Sequence, residues 1–316
     1  MRAYALRRLI LAAPTLLGVT IILFALVRML PGDAVQQILG EYPGYASDED
    51  ALRKELGLDK PIPQQYLSWV GHVVRFDLGE SLQTKRPITD ELRMRGPVTF
   101  ELGILAIFLG LCISIPIGVL SALKQDSLAD YAARTLSVGM LAIPGFWLAT
   151  LVITLPSIWW HWTPSPTYTR FTEDPIANLQ HMFLPALILA TALSGTLMRV
   201  TRTEMINVMR QDYIRTARAK GLSNYIVLIR HSLRNAFIPV ITVIGLQVPV
   251  IIGGSVILEN IFTIPGTGRY LLEAISKRDY PVIQGINLLL ALVVIFTNIA
   301  VDLSYSIIDP RIRYSR

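Results

Sequence analysis

The sequence predicts an all-α, polytopic membrane protein with six transmembrane helices. Of its 316 residues, 52% are hydrophobic and only 16% are charged, and the mean hydropathy is +0.48. An ordinary soluble domain of this length is less apolar and more highly charged. The apolar residues also form continuous runs instead of alternating every second residue, which disfavours a transmembrane β-barrel.

Six apolar runs carry no formal charge, and each is close to the roughly 20 residues that cross a bilayer. They extend over residues 9–27, 102–123, 135–160, 182–198, 236–258 and 282–301. The first run follows Arg7 and Arg8, as in a secretory or twin-arginine signal peptide. It exceeds the apolar region of about 7 to 15 residues typical of such peptides, and no clear small-x-small cleavage site follows. We therefore expect this run to remain in place as a membrane anchor.

Basic residues flank the spans unevenly, and this asymmetry predicts the orientation. Residues 30–97 hold eight Lys or Arg against eleven Asp or Glu. The positive-inside rule favours both termini and the 199–235 loop in the cytoplasm. The basic residues would then be cytoplasmic at Arg2, Arg7, Arg8, Lys124, Arg134, Arg199, Arg202, Arg210, Arg215, Arg218, Lys220, Arg230, Arg234, Arg311, Arg313 and Arg316. The net charge of +6 is explained by this bias and by anionic lipid, without nucleic acid.

The spans predict four segments along the chain. They are a cytoplasmic N-terminus with the first transmembrane helix (1–29), an extracytoplasmic subdomain (30–97), a five-helix transmembrane core (98–308) containing the cytoplasmic loop 199–235, and a cytoplasmic tail (309–316). Within the subdomain, the prolines after Asp59 and the later Tyr66, Trp69 and Val70 suggest one amphipathic helix. The turn at 265–268 precedes a short surface helix, for which span packing is favoured over substrate contact.

Residues for covalent chemistry are missing from the sequence. It has no G-x-x-x-x-G-K-[ST] phosphate loop, no HExxH and no GxSxG, so we expect no catalytic residue and no ATP hydrolysis by this chain. The four histidines lack the spacing of metal ligands. The single Cys112 lies in the second span, where it is expected to be a small buried apolar residue.

A basic helix-turn-helix is predicted between the fourth and fifth spans. Its sequence is DYIRTARAKGLSNYIVLIRHSLRNAFIP, residues 212–239. Gly221 can adopt the left-handed conformation that ends a first helix, and Ser223 can cap a second. Tyr225, Ile226, Ile229 and Leu233 would then share one face of that second helix.

This loop resembles the "EAA" loop of ABC importer permeases, in the form seen in the dipeptide, oligopeptide and nickel class. Further stretches are similar to the first of the two permeases of peptide importers, so the resemblance covers nearly the whole chain. They include RRLILAAPTLLGVTIILFALVRMLPGD near the start, LRKELGLDKPIPQQYLSWVGHVVRFDLGESLQTKRPITDEL, ENIFTIPGTGRYLLEAISKRDYPVIQG and the final DPRIRY. Relative to the generic loop, Glu-Ala-Ala is replaced here by Arg215-Thr216-Ala217, and this departure fits the peptide and nickel class.

The resemblance implies a type I ABC importer permease in a bacterial or archaeal cytoplasmic (inner) membrane. Its partners would be a second homologous permease, two ATPase subunits that bind ATP and Mg, and an extracytoplasmic solute-binding protein that delivers a di- or oligopeptide. No cofactor is implied in this chain. The implied ATPase-coupling residues are Arg215, Thr216, Ala217, Arg218, Ala219, Lys220 and Gly221. Ala217 and Ala219 would let the ATPase approach closely, and the three basic residues would supply charge for docking.

Other functions stay open at this point. Permeases similar to this one also handle nickel complexes or glutathione, so the substrate is open. The loop taken by itself is also compatible with a basic segment that faces lipid. Two further classes of protein are an ion-coupled carrier and a membrane anchoring protein. A carrier would more often show ionisable residues at mid-membrane. Polar residues within the spans are expected to face inward, onto a translocation path or a helix contact. The candidates for the path are Gln247, Ser255, Asn287 and Ser194.

Overall fold

A computed structural model describes residues 2–29 and 59–308, and within these ranges the regular secondary structure is helical, with no strand. The helices are α1 (Arg2–Met29), α2 (Ile62–Val74), α3 (Ile88–Leu123), α4 (Leu128–Ala142), α5 (Gly145–Trp160), α6 (Pro175–Met209), α7 (Asp212–Ala219), α8 (Asn224–Ile226), α9 (Arg234–Ile261), α10 (Thr267–Ser276) and α11 (Tyr280–Ile308). A π-helical segment, Val227–Leu233, joins α8 to α9. The all-α prediction is confirmed.

Five helical stretches within the described ranges are long and apolar enough to cross a membrane. They are Ile10–Met29, Ile88–Leu123, Pro175–Met209, Asn224–Ile261 and Tyr280–Ser304. The predicted third span, 135–160, is a bent pair, because α4 and α5 meet at 93°. Pro144 precedes α5, and the preceding Ile143 has the extended backbone (φ −92°, ψ 118°) that proline favours in its neighbour. Counting this pair as one span gives the six that the sequence predicts.

The chain forms two compact units, the first made of residues 1–98 and 265–296. Its core includes Ile88, Leu92, Tyr270, Leu271 and Ile286. The predicted amphipathic helix is present as α2, and its Tyr66 hydroxyl lies 2.9 Å from Thr20 Oγ1 of α1. Burial of Tyr270 and Leu271 on α10 agrees with the predicted packing role of this helix.

A buried carboxylate fastens the loop before α3 within the first unit. Asp279, between α10 and α11, accepts hydrogen bonds from Ser81 Oγ at 2.6 Å and from the Leu82 amide at 3.1 Å. The Gln83 amide donates a third hydrogen bond to the same carboxylate at 3.4 Å. Together the three hydrogen bonds offset the free-energy cost of burying this carboxylate. Within the segment 30–97 that is predicted to be a subdomain, residues 81–83 are therefore held in place by Asp279. Residues 30–58 of that segment and the tail 309–316 lie outside the described residues.

The second unit comprises residues 99–264 and 297–316. Small residues let its helices approach closely: a Cβ atom on Gly195 of α6 would lie 2.8 Å from the Ser137 carbonyl oxygen of α4. Ser137 Oγ donates to the Gly195 carbonyl at 2.8 Å, so the two helices also share a buried hydrogen bond. Cys112 on α3 is exposed on the surface of the chain, and the prediction that it is buried is wrong.

Candidate functional site

The predicted turn of the helix-turn-helix is present. Gly221 has φ +77°, and its amide donates to the Arg218 carbonyl at 2.9 Å while the Leu222 amide donates to Ala217 at 3.4 Å. These two bonds form a Schellman motif, which requires a left-handed residue at the position of Gly221. Ser223 then accepts from the Ile226 amide at 3.4 Å and caps α8. The sequence predicts both ends of the turn correctly because both depend on local rules.

Apolar side chains pack together on the inner side of the loop, between α7 and the segment that follows the turn. Ile214 and Ala217 of α7 contact Val227 in a cluster whose side chains are all buried. Ala217 therefore faces the interior of the loop and offers no contact to a partner, so the expectation that both alanines admit a partner surface is wrong for Ala217. Ala219 is exposed as expected. The packing fixes α7 against the segment that leads into α9.

Polar contacts reinforce the same junction. Asn235 Nδ2 donates to the Tyr213 hydroxyl at 2.9 Å and to the His231 carbonyl at 2.8 Å. Ser232 Oγ donates to the Val227 carbonyl, five residues earlier, at 3.1 Å. From Asn224 to Ile261 the chain is a single helical stretch of 38 residues. The loop is consequently tied to the fifth spanning helix without a flexible linker.

The outer side of the loop combines positive charge with apolar side chains. We call this set the loop surface; its exposed members are Arg215, Thr216, Arg218, Ala219, Lys220, Leu222, Tyr225, Ile226 and Ile229. Tyr225 is 73% exposed. Arg215 pairs with Asp212 at 3.6 Å, but both side chains are at least 80% exposed, so this pair neutralises little charge. Such a surface suits binding to a protein partner with a complementary acidic and apolar groove.

The four candidate path residues have different surroundings. Gln247 on α9 is half-buried, and its Nε2 donates to Thr196 Oγ1 of α6 at 3.2 Å. Ser194 is fully buried, with Oγ 3.4 Å from the Gly110 carbonyl of α3, and Ser255 bonds within its own helix. Asn287, in the first unit, likewise bonds within its own helix at 2.8 Å. The structure thus brings Gln247 together with a polar partner on another helix and places both serines in helix packing.

A buried ion cluster lies toward the C-terminal end of α6, and the sequence analysis does not predict it. Asp130 on α4 is fully buried and forms a bidentate pair with Arg202 on α6, both contacts at 2.7 Å. Ser121 Oγ of α3 donates to the carboxylate at 2.5 Å, and Arg134 lies 3.4 Å from it. The cluster therefore joins three helices. The signal in the sequence is an acidic residue, Asp130, that lies between the basic residues Lys124 and Arg134.

Comparison with known proteins identifies the type of protein to which this loop and these spans belong. Residues 114–314 match the family described as binding-protein-dependent transport system inner membrane component, and residues 1–103 match the N-terminal region of such membrane components. The chain belongs to this family. It is therefore a multi-pass inner membrane permease subunit of an ABC transport system, and not itself an enzyme.

Its relatives include several named permeases. The dipeptide transport system permease protein DppB of Escherichia coli (strain K12) is 42% identical over 340 residues, which cover 100% of both chains. A putative peptide transport system permease protein of Brucella abortus (strain 2308) is 43% identical over 99% of this chain and 100% of its own length. The di/tripeptide transport system permease protein DppB of Pseudomonas aeruginosa (strain UCBPP-PA14) is 40% identical over 336 residues. Family membership implies a partner permease, an ATPase and a binding protein.

Proposed function

We propose that this permease forms, with a second homologous permease, the translocation path for di- or oligopeptides delivered by an extracytoplasmic solute-binding protein. Two ATPase subunits would bind the loop surface, one on each permease. The observation that carries the substrate class is the full-length identity of 42% to a dipeptide permease. The observation that carries the coupling role is the rigid, basic and apolar loop surface.

The proposed orientation places the loop and both termini in the cytoplasm. Thr169 lies near the start of α6, since its carbonyl accepts from Asn178 Nδ2 at 3.0 Å, whereas the loop follows the other end of α6. A helix of 35 residues is about 50 Å long, enough to separate two membrane faces. This geometry supports opposite sides for Thr169 and Asn224. Thr84 is expected outside with Thr169, and the further labelling positions Ser47 and Ser315, expected outside and inside, lie outside the described residues.

Transport would follow from alternating access. Closure of the ATPases on ATP would draw the two loop surfaces together, and the motion would pass through Val227–Leu233 into α9, where Gln247 pairs with Thr196. We propose that this pair contributes to the path, together with the other predicted positions Ser194, Ser255 and Asn287. The residues proposed to contact the ATPase are Arg215, Thr216, Arg218, Ala219 and Lys220, with Ala217 and Gly221 holding their geometry.

Reconstituted transport tests this function. The complete complex, with partner permease, ATPases and binding protein, should import a radiolabelled dipeptide into proteoliposomes on addition of ATP. Excess unlabelled dipeptide should compete, whereas glutathione or a nickel–histidine complex should not. Preferential uptake of either of the latter would assign the substrate elsewhere in the class. Uptake without ATPase subunits that an ionophore abolishes would show a secondary carrier instead.

A further inference from the structure

A groove between α1 and α2, within the first unit, is open and mainly apolar. Its volume is about 540 Å³, which is within the range of ligand-binding clefts. The two helices are joined beside it by the Tyr66 and Phe24 rings, which meet edge-on with centroids 5.3 Å apart. The described residues that line it include Ile21, Phe24 and Ala25 of α1, Ile62 and Pro63 of α2, and a single charged residue, Arg28. Such a lining suits a ligand with a long apolar part and one negative charge.

Arg28 is held in place at one end of the groove, and it has no carboxylate partner among the described residues. Its Nε and Nη2 atoms donate to Gln65 Oε1 at 3.1 and 2.5 Å, and its guanidinium carbon lies 3.6 Å from the centroid of the Phe24 ring. Gln65 is itself oriented, because its Nε2 donates to the Lys60 carbonyl at 2.7 Å. A guanidinium has five N–H donors, so three remain available for a further acceptor. The positive charge also remains, because the Gln65 amide is neutral.

The position of the groove along the first spanning helix matches the layout of a phospholipid. The apolar stretch of this helix is Ile10–Met29, so Arg28 lies at its end, where the lipid headgroups begin. Ile21 lies about two turns deeper, or about 10 Å along the helix axis toward the hydrocarbon. A phosphate bound to Arg28 would therefore direct an acyl chain along the apolar part of the groove.

The surface of α2 also indicates contact with lipid. None of the residues of this helix is buried within the chain. Four apolar side chains on it or just after it are between 63% and 87% exposed, namely Ile62, Leu67, Val74 and Phe76. An amphipathic helix of this kind lies in the plane of the membrane interface, with its apolar side chains toward the acyl chains. The groove beside α2 is then open to lipid.

We propose that this groove binds one anionic phospholipid, with its phosphate on the Arg28 guanidinium and an acyl chain between α1 and α2. The N–H donors that Arg28 leaves unused can form parallel hydrogen bonds with two phosphate oxygens. Charge favours an anionic lipid such as phosphatidylglycerol over phosphatidylcholine, whose choline group cancels the charge of its phosphate. In the proposed orientation the lipid belongs to the extracytoplasmic leaflet. The site does not depend on which substrate the permease transports.

Photolabelling of the complete transporter tests the site directly. The complex is placed in phosphatidylcholine nanodiscs that contain a small fraction of phosphatidylglycerol or phosphatidylcholine with a diazirine in one acyl chain. After illumination, mass spectrometry locates the labelled residues. The phosphatidylglycerol probe should label the groove residues of α1 and α2 about tenfold or more efficiently than the phosphatidylcholine probe. Unlabelled phosphatidylglycerol should suppress this labelling, whereas inorganic phosphate, the other source of the same anion, should not.

Charge variants show whether Arg28 selects the lipid. Arg28→Gln should remove the tenfold preference for phosphatidylglycerol, and Arg28→Lys, which keeps the charge, should retain most of it. Arg75→Gln removes the same charge from the exposed residue that ends α2, outside the groove, and should leave the preference unchanged. Equal labelling by both probes in the wild type, or equal loss in Arg28→Gln and Arg75→Gln, would overturn the proposal.

A further variant separates lipid binding from folding. Ala25 is exposed in the groove, so Ala25→Trp should fill it without touching the contacts between Arg28 and Gln65. In phosphatidylcholine alone its thermal unfolding midpoint should equal that of the wild type, while labelling by the phosphatidylglycerol probe falls about tenfold. Undiminished labelling in Ala25→Trp would show that the acyl chain lies elsewhere.

A protein occupant of the groove has its own outcome. Ala25→Cys, in a chain whose exposed Cys112 is replaced by Ala, is treated with a short crosslinker in the complete transporter. A crosslink to the second permease, together with no labelling of the groove by either lipid probe, would show that a protein helix covers it. The lipid assignment would then be wrong.

Discussion

Replacement of Gly221 by Val should abolish transport while leaving the protein inserted in the membrane. Gly221 has φ +77°, and no atom lies within 4 Å of the position that its Cβ would occupy. The cost therefore arises from the backbone alone, at about 1 to 2 kcal/mol for a left-handed residue with a Cβ and more for a β-branched one. A change of this size lowers the population of the native turn by a factor of about 5 to 30.

The turn matters because it positions the whole loop surface. Losing the Schellman bonds would release the Leu222 amide from Ala217 and allow α7 to move relative to Val227. We therefore expect loss of dipeptide uptake and of ATP hydrolysis stimulated by the binding protein. A crosslink from Ala219→Cys to an ATPase should weaken as well. Cys112 is exposed and has to be replaced by Ala in this background.

A substitution at the same position provides the control. Asn tolerates the left-handed region better than other side chains, so Gly221→Asn should retain most of the uptake. The membrane-inserted amount of each variant is measured alongside. Normal transport by Gly221→Val, or the absence of any ATPase crosslink from Ala219→Cys in the otherwise wild-type loop, would show that the loop is an ordinary membrane-surface segment.

The remaining predictions concern orientation, stability and activity. Cysteine labelling should reach Thr169→Cys from outside and Asn224→Cys only from inside, and external labelling of Asn224→Cys would overturn the docking assignment. Asp130→Asn should lower the free energy of unfolding by about 3 to 5 kcal/mol, because it leaves Arg202 without its buried partner. Asp212→Asn removes a carboxylate from an exposed ion pair and should leave the unfolding midpoint unchanged. Equal effects of the two variants on stability would refute this account. The purified chain alone should hydrolyse no ATP, and robust hydrolysis after removal of contaminating ATPases would contradict its assignment as a permease.

Features governed by neighbouring residues could be predicted from the sequence. Long uncharged runs give the spanning helices, and the spacing of Gly221 and Ser223 gives the turn, because bilayer thickness and backbone sterics act locally. The bend at Pro144 belongs to this group in principle. The apolar run nevertheless continues through Ile143 and Pro144, so hydropathy alone predicts one unbroken span there, because it does not account for the backbone effect of proline.

Features that depend on distant residues could not be predicted in this way. Asp130 and Arg202 are 72 residues apart, and only the packing of α4 on α6 brings them together. The inward direction of Ala217 follows from its contact with Val227, on the far side of the turn.

The packing beneath the loop bears on how a movement there would spread. Ala122 of α3, Met205 of α6 and Ala236 of α9 form one buried cluster, against which Leu228 and Leu233 of the π-helical segment also pack. A displaced loop surface therefore presses on three spanning helices at once, and the Asp130–Arg202 pair extends this contact to α4. Close-packed interiors transmit strain instead of absorbing it. We infer that the helices at this end of the second unit move together, so that a change at the loop would reach Gln247 as a rigid displacement of α9.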